Sequence, residues 1–207
     1  MNSAATVFLV DDDPAVLKSL ARLMRLEGYD VQTYPSARAF LEAYEPRPCA
    51  CLVLDVAMPD LNGIDLQKQL ILNESPLPVV FLSGHGDIPM SVQAIKSGAV
   101  DFLTKPVCDH DLLASVQTAL QLAASRSADM QATRSLQNRL ALLTRRELEV
   151  MRHVITGKLN KQIAADLGTG EQNIKVHRMR MMDKMGVESV AELVRVATRL
   201  GIEMAAD

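Results

Sequence analysis

The sequence predicts an α/β unit, a five-stranded parallel doubly wound sheet, followed by a helical linker and an all-α four-helix unit. Three observations predict it. Short apolar runs alternate with helical patterns through the first 123 residues, the stretch 124–142 contains no Pro or Gly, and no strand-like run follows residue 143. Strands alternating with helices bury both sheet faces and so favour parallel pairing.

The elements follow in order. Residues 6–10 (TVFLV) form a continuous apolar strand. Residues 14–27 carry Val16, Leu20, Leu23 and Met24 at helical spacing, and Gly28 stops that helix. Residues 30–34 are a second strand, and Ser36 caps a helix through residue 44. Strands at 51–54 (CLVL) and 79–82 (VVFL) flank a helix at 62–72. A helix at 87–97, a short strand at 101–103 and a helix at 109–123 complete the alternation. Residues 124–142 continue as helix, with Leu136, Leu140 and Leu143 at i, i+4, i+7. Four helices follow at 144–156, 160–167, 171–185 and 190–200, punctuated by glycines 157, 168, 186 and 201. Thr144 and Glu147 have capping-box spacing. Short helices with tight glycine connections suit a helix-turn-helix. The expected partition is residues 1–123, a linker at 124–142, and residues 143–207.

Charge supports two functional units. Residues 1–125 hold 8 basic and 15 acidic side chains, whereas residues 141–207 hold 11 and 9. The second half is too weakly basic for charge alone to predict a nucleic-acid partner. Hydrophobic residues make up 48% of the chain but aromatic ones only 3%, so aliphatics and the 11 Met must fill the cores. No apolar run approaches the roughly 18 residues of a membrane span, and the first residues lack a signal-peptide layout. A cytoplasmic location without membrane association is expected. Cys49, Cys51 and Cys108 cannot all pair and are expected to be buried or semi-buried reduced thiols.

Doubly wound sheets place their chemistry at the carboxyl ends of the strands. Strand one ends in Asp11, Asp12 and Asp13, strand three in Asp55, strand four in Ser83, and strand five in Lys105-Pro106. Converging carboxylates repel unless a cation joins them. An oxygen-only set suits Mg²⁺. One Asp can attack a phosphoryl donor while Lys105 neutralises the transferring group. Asp13 is expected to serve the following helix start rather than the metal.

The stretches VFLVDDD (7–13), LVLDVAMPDLNG (52–63), VVFLSGHGD (79–87) and AVDFLTKP (99–106) resemble, in order, a bacterial receiver domain with its flavodoxin/CheY-like fold. The resemblance implies Asp55 as phosphoryl acceptor, with Asp11, Asp12, Asp55 and the Ala57 carbonyl holding Mg²⁺. It implies Ser83 as the switch hydroxyl, Lys105 as the phosphate-pairing lysine and Phe102 as the aromatic switch residue. It also implies a sensor histidine kinase as phosphoryl donor and homodimerisation on phosphorylation.

The stretches LTRRELEVM (143–151), GKLNKQIAADLG (157–168) and IKVHRMRMMDKMGV (174–187) resemble the LuxR-type helix-turn-helix of FixJ/NarL response regulators. The implied partners are double-stranded DNA and RNA polymerase. Helix 171–185 turns Ile174, Met181 and Met185 inward. Its outward positions include Gln172, Asn173, Lys175, Val176, His177, Met179 and Arg180, a set able to reach base edges and phosphates. By position Lys175, Val176 and Met179 fall where family members contact DNA. Asn173, Arg180 and Lys161 are further candidate contacts. Two departures stand out. Gly170 replaces the usual serine cap, leaving Thr169 as an alternative cap, and Met179 stands where a cation is common.

Two other functions fit parts of the chain. A phosphohydrolase would share the acidic chemistry but needs a cap or cleft segment that the spacing does not supply. An RNA-binding antiterminator would need a different helical C-terminus. Only slow self-phosphorylation and self-dephosphorylation are expected of the pocket as an enzyme.

Overall fold

The computed structural model describes residues 5–84 and 88–205. The five apolar runs pair as β1 (Thr6–Val10), β2 (Asp30–Tyr34), β3 (Ala50–Asp55), β4 (Val79–Ser83) and β5 (Asp101–Thr104). They form one parallel sheet in the order β2-β1-β3-β4-β5. Side-chain alternation divides each central strand between two cores. Phe8, Val10, Leu52, Leu54 and Phe81 face one way, towards α2 (Ala37–Ala43), α3 (Gly63–Leu72) and α4 (Ile88–Lys96). Val7, Leu9, Cys51, Val53, Val80 and Leu82 face the other way, towards α1 (Pro14–Leu26) and the first part of α5 (Asp109–Ala141).

Most element ends fall within a residue or two of the sequence expectation. β3 starts at Ala50 and includes Asp55, and β4 includes Ser83, so the polar residues read as lying beyond the strands are their last members. Register explains this: Asp55 pairs with Leu82 and Ser83 with Thr104. The expected start of the 87–97 helix at Asp87 lies outside the described residues. All seven Phe and Tyr residues precede residue 103. Four of them, Phe8, Tyr34, Phe40 and Tyr44, meet edge-on, tilted or stacked at centroid distances of 5.0–6.3 Å and hold α2 beside β2.

Cys49 and Cys51 pack in the core beneath α1, and burial pushes the Cys51 thiol up to about 12. Cys108 departs from expectation and is exposed. It precedes the first turn of α5, where its carbonyl accepts from Leu112 N–H.

The chain divides into two compact units, residues 1–128 and 129–207. In the second, α6 (Arg145–Val154), α7 (Asn160–Asp166), α8 (Glu171–Met185) and α9 (Val190–Arg199) enclose an aliphatic and Met core of Val150, Met151, Ile163, Ile174, Met181, Met185 and Leu193. Leu140 and Leu143 pack against that core, which accounts for their spacing. The capping box forms as read: Thr144 accepts from Glu147 N–H, and Glu147 accepts from Thr144 N–H at 2.8 Å. Glu147 is also buried against Lys184 at 2.6 Å. Burial alone would raise its pKa, but the Lys184 ammonium and the Thr144 donors hold its carboxyl below the usual value.

Candidate functional site

The sheet brings Asp11, Asp12, Asp55 and Lys105 to one rim. Asp11 and Asp55 are buried, 2% and 4% exposed, whereas Asp12 is exposed. Carboxylate oxygens from all three acids lie within 4.8 Å of one another. Lys105 Nζ bridges two of them, at 2.6 Å from Asp11 Oδ2 and 2.7 Å from Asp55 Oδ1. Burial raises the Asp55 pKa; Lys105 opposes that shift, and the Asp11 and Asp12 charges add to it. Burial pulls Lys105 down, but hydrogen bonds to both carboxylates leave its pKa raised. One ammonium among three carboxylates leaves two negative charges in excess. This oxygen-only set with that excess fits a divalent hard cation.

Asp13 does not join the cluster. Its carboxylate caps α1, accepting from Ala15 N–H at 2.7 Å and Val16 N–H at 3.4 Å. Its own N–H donates to Asp11 Oδ1 at 2.9 Å, which orients that acid. Ala57 is exposed two residues beyond Asp55, on the same rim. Ser83 is buried at the end of β4, and its carbonyl accepts from Lys105 N–H at 2.8 Å. The Lys105–Pro106 peptide is cis. Phe102 is half-buried, its ring 6.1 Å from Phe81. It lines a shallow groove with Ser91, Val92, Ile95, Lys96 and Asp101.

One positioning residue escaped the sequence reading. A Cβ on Gly63 would lie 2.3 Å from the Asp55 carbonyl oxygen, and Gly63 N–H donates to Val56 O at 3.0 Å. The missing side chain lets the start of α3 press against the backbone that carries Asp55. The glycine is visible in the sequence, but its contact needs the β3–α3 packing.

In the second unit, α8 exposes Gln172, Asn173, Lys175, Met179 and Arg180, with Val176 and His177 half-buried beside them. Met179 is 65% exposed. Lys161 is exposed near the start of α7. Gly170 is the N-cap of α8 and offers no side-chain acceptor. Thr169 does not substitute: its hydroxyl accepts from Asn173 Nδ2 at 3.2 Å instead of from a backbone N–H. Two framework contacts had no sequence signal. Arg178 Nη1 donates to Asn160 Oδ1 at 3.0 Å, tying α8 to α7, and Arg146 Nη2 donates to Leu167 O at 2.8 Å, closing the end of α7.

Comparison with known proteins assigns both units. Residues 7–117 match the response regulator receiver domain, and residues 141–197 match the bacterial regulatory proteins of the luxR family. The response regulator protein TmoT of Ectopseudomonas mendocina is 45% identical over 95% of this chain and 89% of its own length. The transcriptional regulatory protein FixJ of Bradyrhizobium diazoefficiens is 38% identical over 98% of both chains. Among solved structures, the response regulator StyR superposes with a TM-score of 0.85 at 43% identity, covering 95% of this chain and all of StyR. Receiver domains bind Mg²⁺ at an acidic pocket and take a sensor kinase as partner, and the luxR-family domain binds DNA. Among the described residues no helix is long and apolar enough to cross a membrane. The chain belongs to the two-component response regulators that join a receiver domain to a LuxR-type DNA-binding domain, and so to a family that regulates transcription.

Proposed function

We propose that a cytoplasmic sensor–regulator pair uses this chain as its output: a histidine kinase phosphorylates Asp55, the receivers dimerise, and paired α8 helices engage DNA to direct RNA polymerase. The functional partition is receiver 1–123, helical linker 124–142 and reader 143–207. The observation that carries this reading is the Asp11, Asp12 and Asp55 cluster bridged by Lys105.

An Asp55 carboxylate oxygen attacks the phosphorus of a phosphohistidine; the new O–P bond forms as the P–N bond breaks, and the imidazole leaves. Asp11, Asp12, Asp55 and the Ala57 carbonyl would hold Mg²⁺, which supplies charge neutralisation at the phosphoryl oxygens. Lys105, already beside Asp55, exchanges its Asp55 contact for a phosphoryl oxygen. The Ser83 hydroxyl turns to a second phosphoryl oxygen. Phe102 then moves inward from its half-buried place, and the face it shares with α4 is remodelled. Ile88, Val92 and Ile95 are exposed large hydrophobics on α4, which supports a surface that pairs with a second copy. Lys175, Val176, Met179, Arg180 and Asn173 of α8 approach the major groove, and Lys161 approaches a phosphate.

The test measures binding to the DNA upstream of the chain's own gene, with and without acetyl phosphate and Mg²⁺, for the native chain and Asp55→Asn. Phosphorylation should tighten DNA binding and drive dimer formation in the native chain alone. Equal affinity and mass in both states would reject the gating. Affinity should also fall steeply with salt, because phosphate contacts dominate it.

A further inference from the structure

The last four carbonyls of a helix have no partner within that helix. In α8 one of them, Met185 O, accepts from outside the helix: Arg139 Nη1, on the end of α5, donates to it at 3.0 Å. The seat for this guanidinium is made by a missing side chain. Gly186 caps α8 in the left-handed region at φ +64, and a Cβ there would lie 2.3 Å from Arg139 Nη1 and 3.0 Å from its Cζ. Gly186 therefore does two things. It supplies the backbone conformation that ends the helix, and it leaves bare the space that Arg139 fills. Asn tolerates the same φ but would evict the guanidinium. The cation also meets the negative end of the α8 dipole.

The base of Arg139 is fixed as well. Leu140 packs on the reader core, and Arg199 of α9 holds the preceding turns, donating to Thr133 Oγ1 at 2.9 Å and to Asp129 O at 2.8 Å. Residues 129–141 thus belong to the same compact unit as α6 to α9.

We propose that Arg139 is a positioning residue for DNA reading: seated on Gly186 and bonded to Met185 O, it sets the C-terminal end of α8 and with it the angle at which α8 enters the groove. This rests on the reading of α8 as the DNA-contacting helix. Arg139 acts from the far end of that helix, so it governs geometry and not phosphate attraction.

The experiment uses the full phosphorylated chain, a duplex selected by the native chain from a random pool, and a shuffled duplex of the same composition. Arg139→Ala should weaken the selected duplex about tenfold, the size of one lost charge-assisted hydrogen bond. It should leave shuffled-duplex affinity and the salt slope unchanged. Arg139→Lys, which keeps a donor and a charge, should recover part of the loss. Gly186→Asn should copy Arg139→Ala, and the double variant should be no weaker than either single one. Unchanged selectivity in Arg139→Ala overturns the proposal. So does a salt slope lower by about one, which marks a direct phosphate contact. So does an equal loss on both duplexes together with a lowered melting temperature, which marks mere loss of fold. If the native chain itself prefers no duplex, the reader role of α8 fails and Arg139 positioning fails with it; native selectivity with an indifferent Arg139→Ala rejects the positioning alone.

Discussion

Gly63→Ala tests how closely the start of α3 controls Asp55, the proposed acceptor. The added Cβ would lie 2.3 Å from the Asp55 carbonyl oxygen, 3.1 Å from Leu54 Cγ and 3.2 Å from the Asp55 carbonyl carbon. Carbon–oxygen contacts of this kind settle near about 3.3 Å, so α3 and β3 must separate by roughly 1 Å. Two of the three obstructing atoms are backbone and cannot rotate away. Overpacking of this size costs about 1–3 kcal/mol. Stretching the Gly63 N–H to Val56 O bond, 3.0 Å in the native chain, adds about 1 kcal/mol. The Ala gains about 0.4–1 kcal/mol by narrowing the unfolded chain. The net is a loss of about 1–3.5 kcal/mol, and a shift near 1 Å at Asp55 can slow phosphoryl transfer by as much as about 100-fold. All three tyrosines, Tyr29, Tyr34 and Tyr44, lie in the first unit and the chain has no Trp, so tyrosine fluorescence reports unfolding of the receiver alone. Urea unfolding by that signal, with phosphorylation by acetyl phosphate measured in parallel, gives both numbers. Gly84, where a Cβ meets nothing within 4 Å among the described residues, is the control and should stay within about 0.5 kcal/mol on substitution by Ala. A Gly63→Ala chain as stable as the native one, and phosphorylated as fast, would refute the close-approach argument.

Two further predictions follow from the charges. Mg²⁺ at tenfold its dissociation constant should stabilise the receiver by about 1.4 kcal/mol, a rise of about 5 °C in tyrosine-detected melting. Asp12→Asn should abolish that rise while slightly stabilising the metal-free protein, because the Asp12 charge works against ionised Asp55; a persistent Mg²⁺ response would remove Asp12 from the metal set. In the reader, Glu147→Gln should cost about 2 kcal/mol near neutral pH, below the range for a fully buried pair because Lys184 stays partly solvated. Glu147 has a depressed pKa, so its contribution is complete above the unfolded value near 4.5 and disappears as pH falls through the folded value. Hydrogen exchange of α6 and α8 amides should therefore show the native and Glu147→Gln chains converging in acid; a gap that stays constant with pH would contradict the ion pair.

The sheet was legible because its signal is local. Each buried strand is a short apolar run, and each rim residue follows one, so the Asp11, Asp12, Asp55, Ser83 and Lys105 positions can be read by counting from strand ends. The helix starts were legible where the cap is a side chain, as at Asp13, Ser36 and Thr144. Thr169 misled because its hydroxyl took Asn173 as partner, a competition between two nearby donors that spacing does not decide. Cys108 misled because thiol burial depends on tertiary packing, and this thiol stands exposed just before α5.

By itself the sequence determined the class of fold, the βα order and the set of charged groups that share one rim, since periodicity and strand ends are properties of the chain read in one dimension. Tertiary structure alone decided which of those groups touch. It put Lys105 between Asp11 and Asp55 while leaving Asp13 to cap α1, and it raised Asp55 by burial. It also gave Gly63 its close approach to Asp55 and Gly186 its second role, because the space a missing Cβ leaves is defined only by the atoms that arrive from elsewhere in the chain.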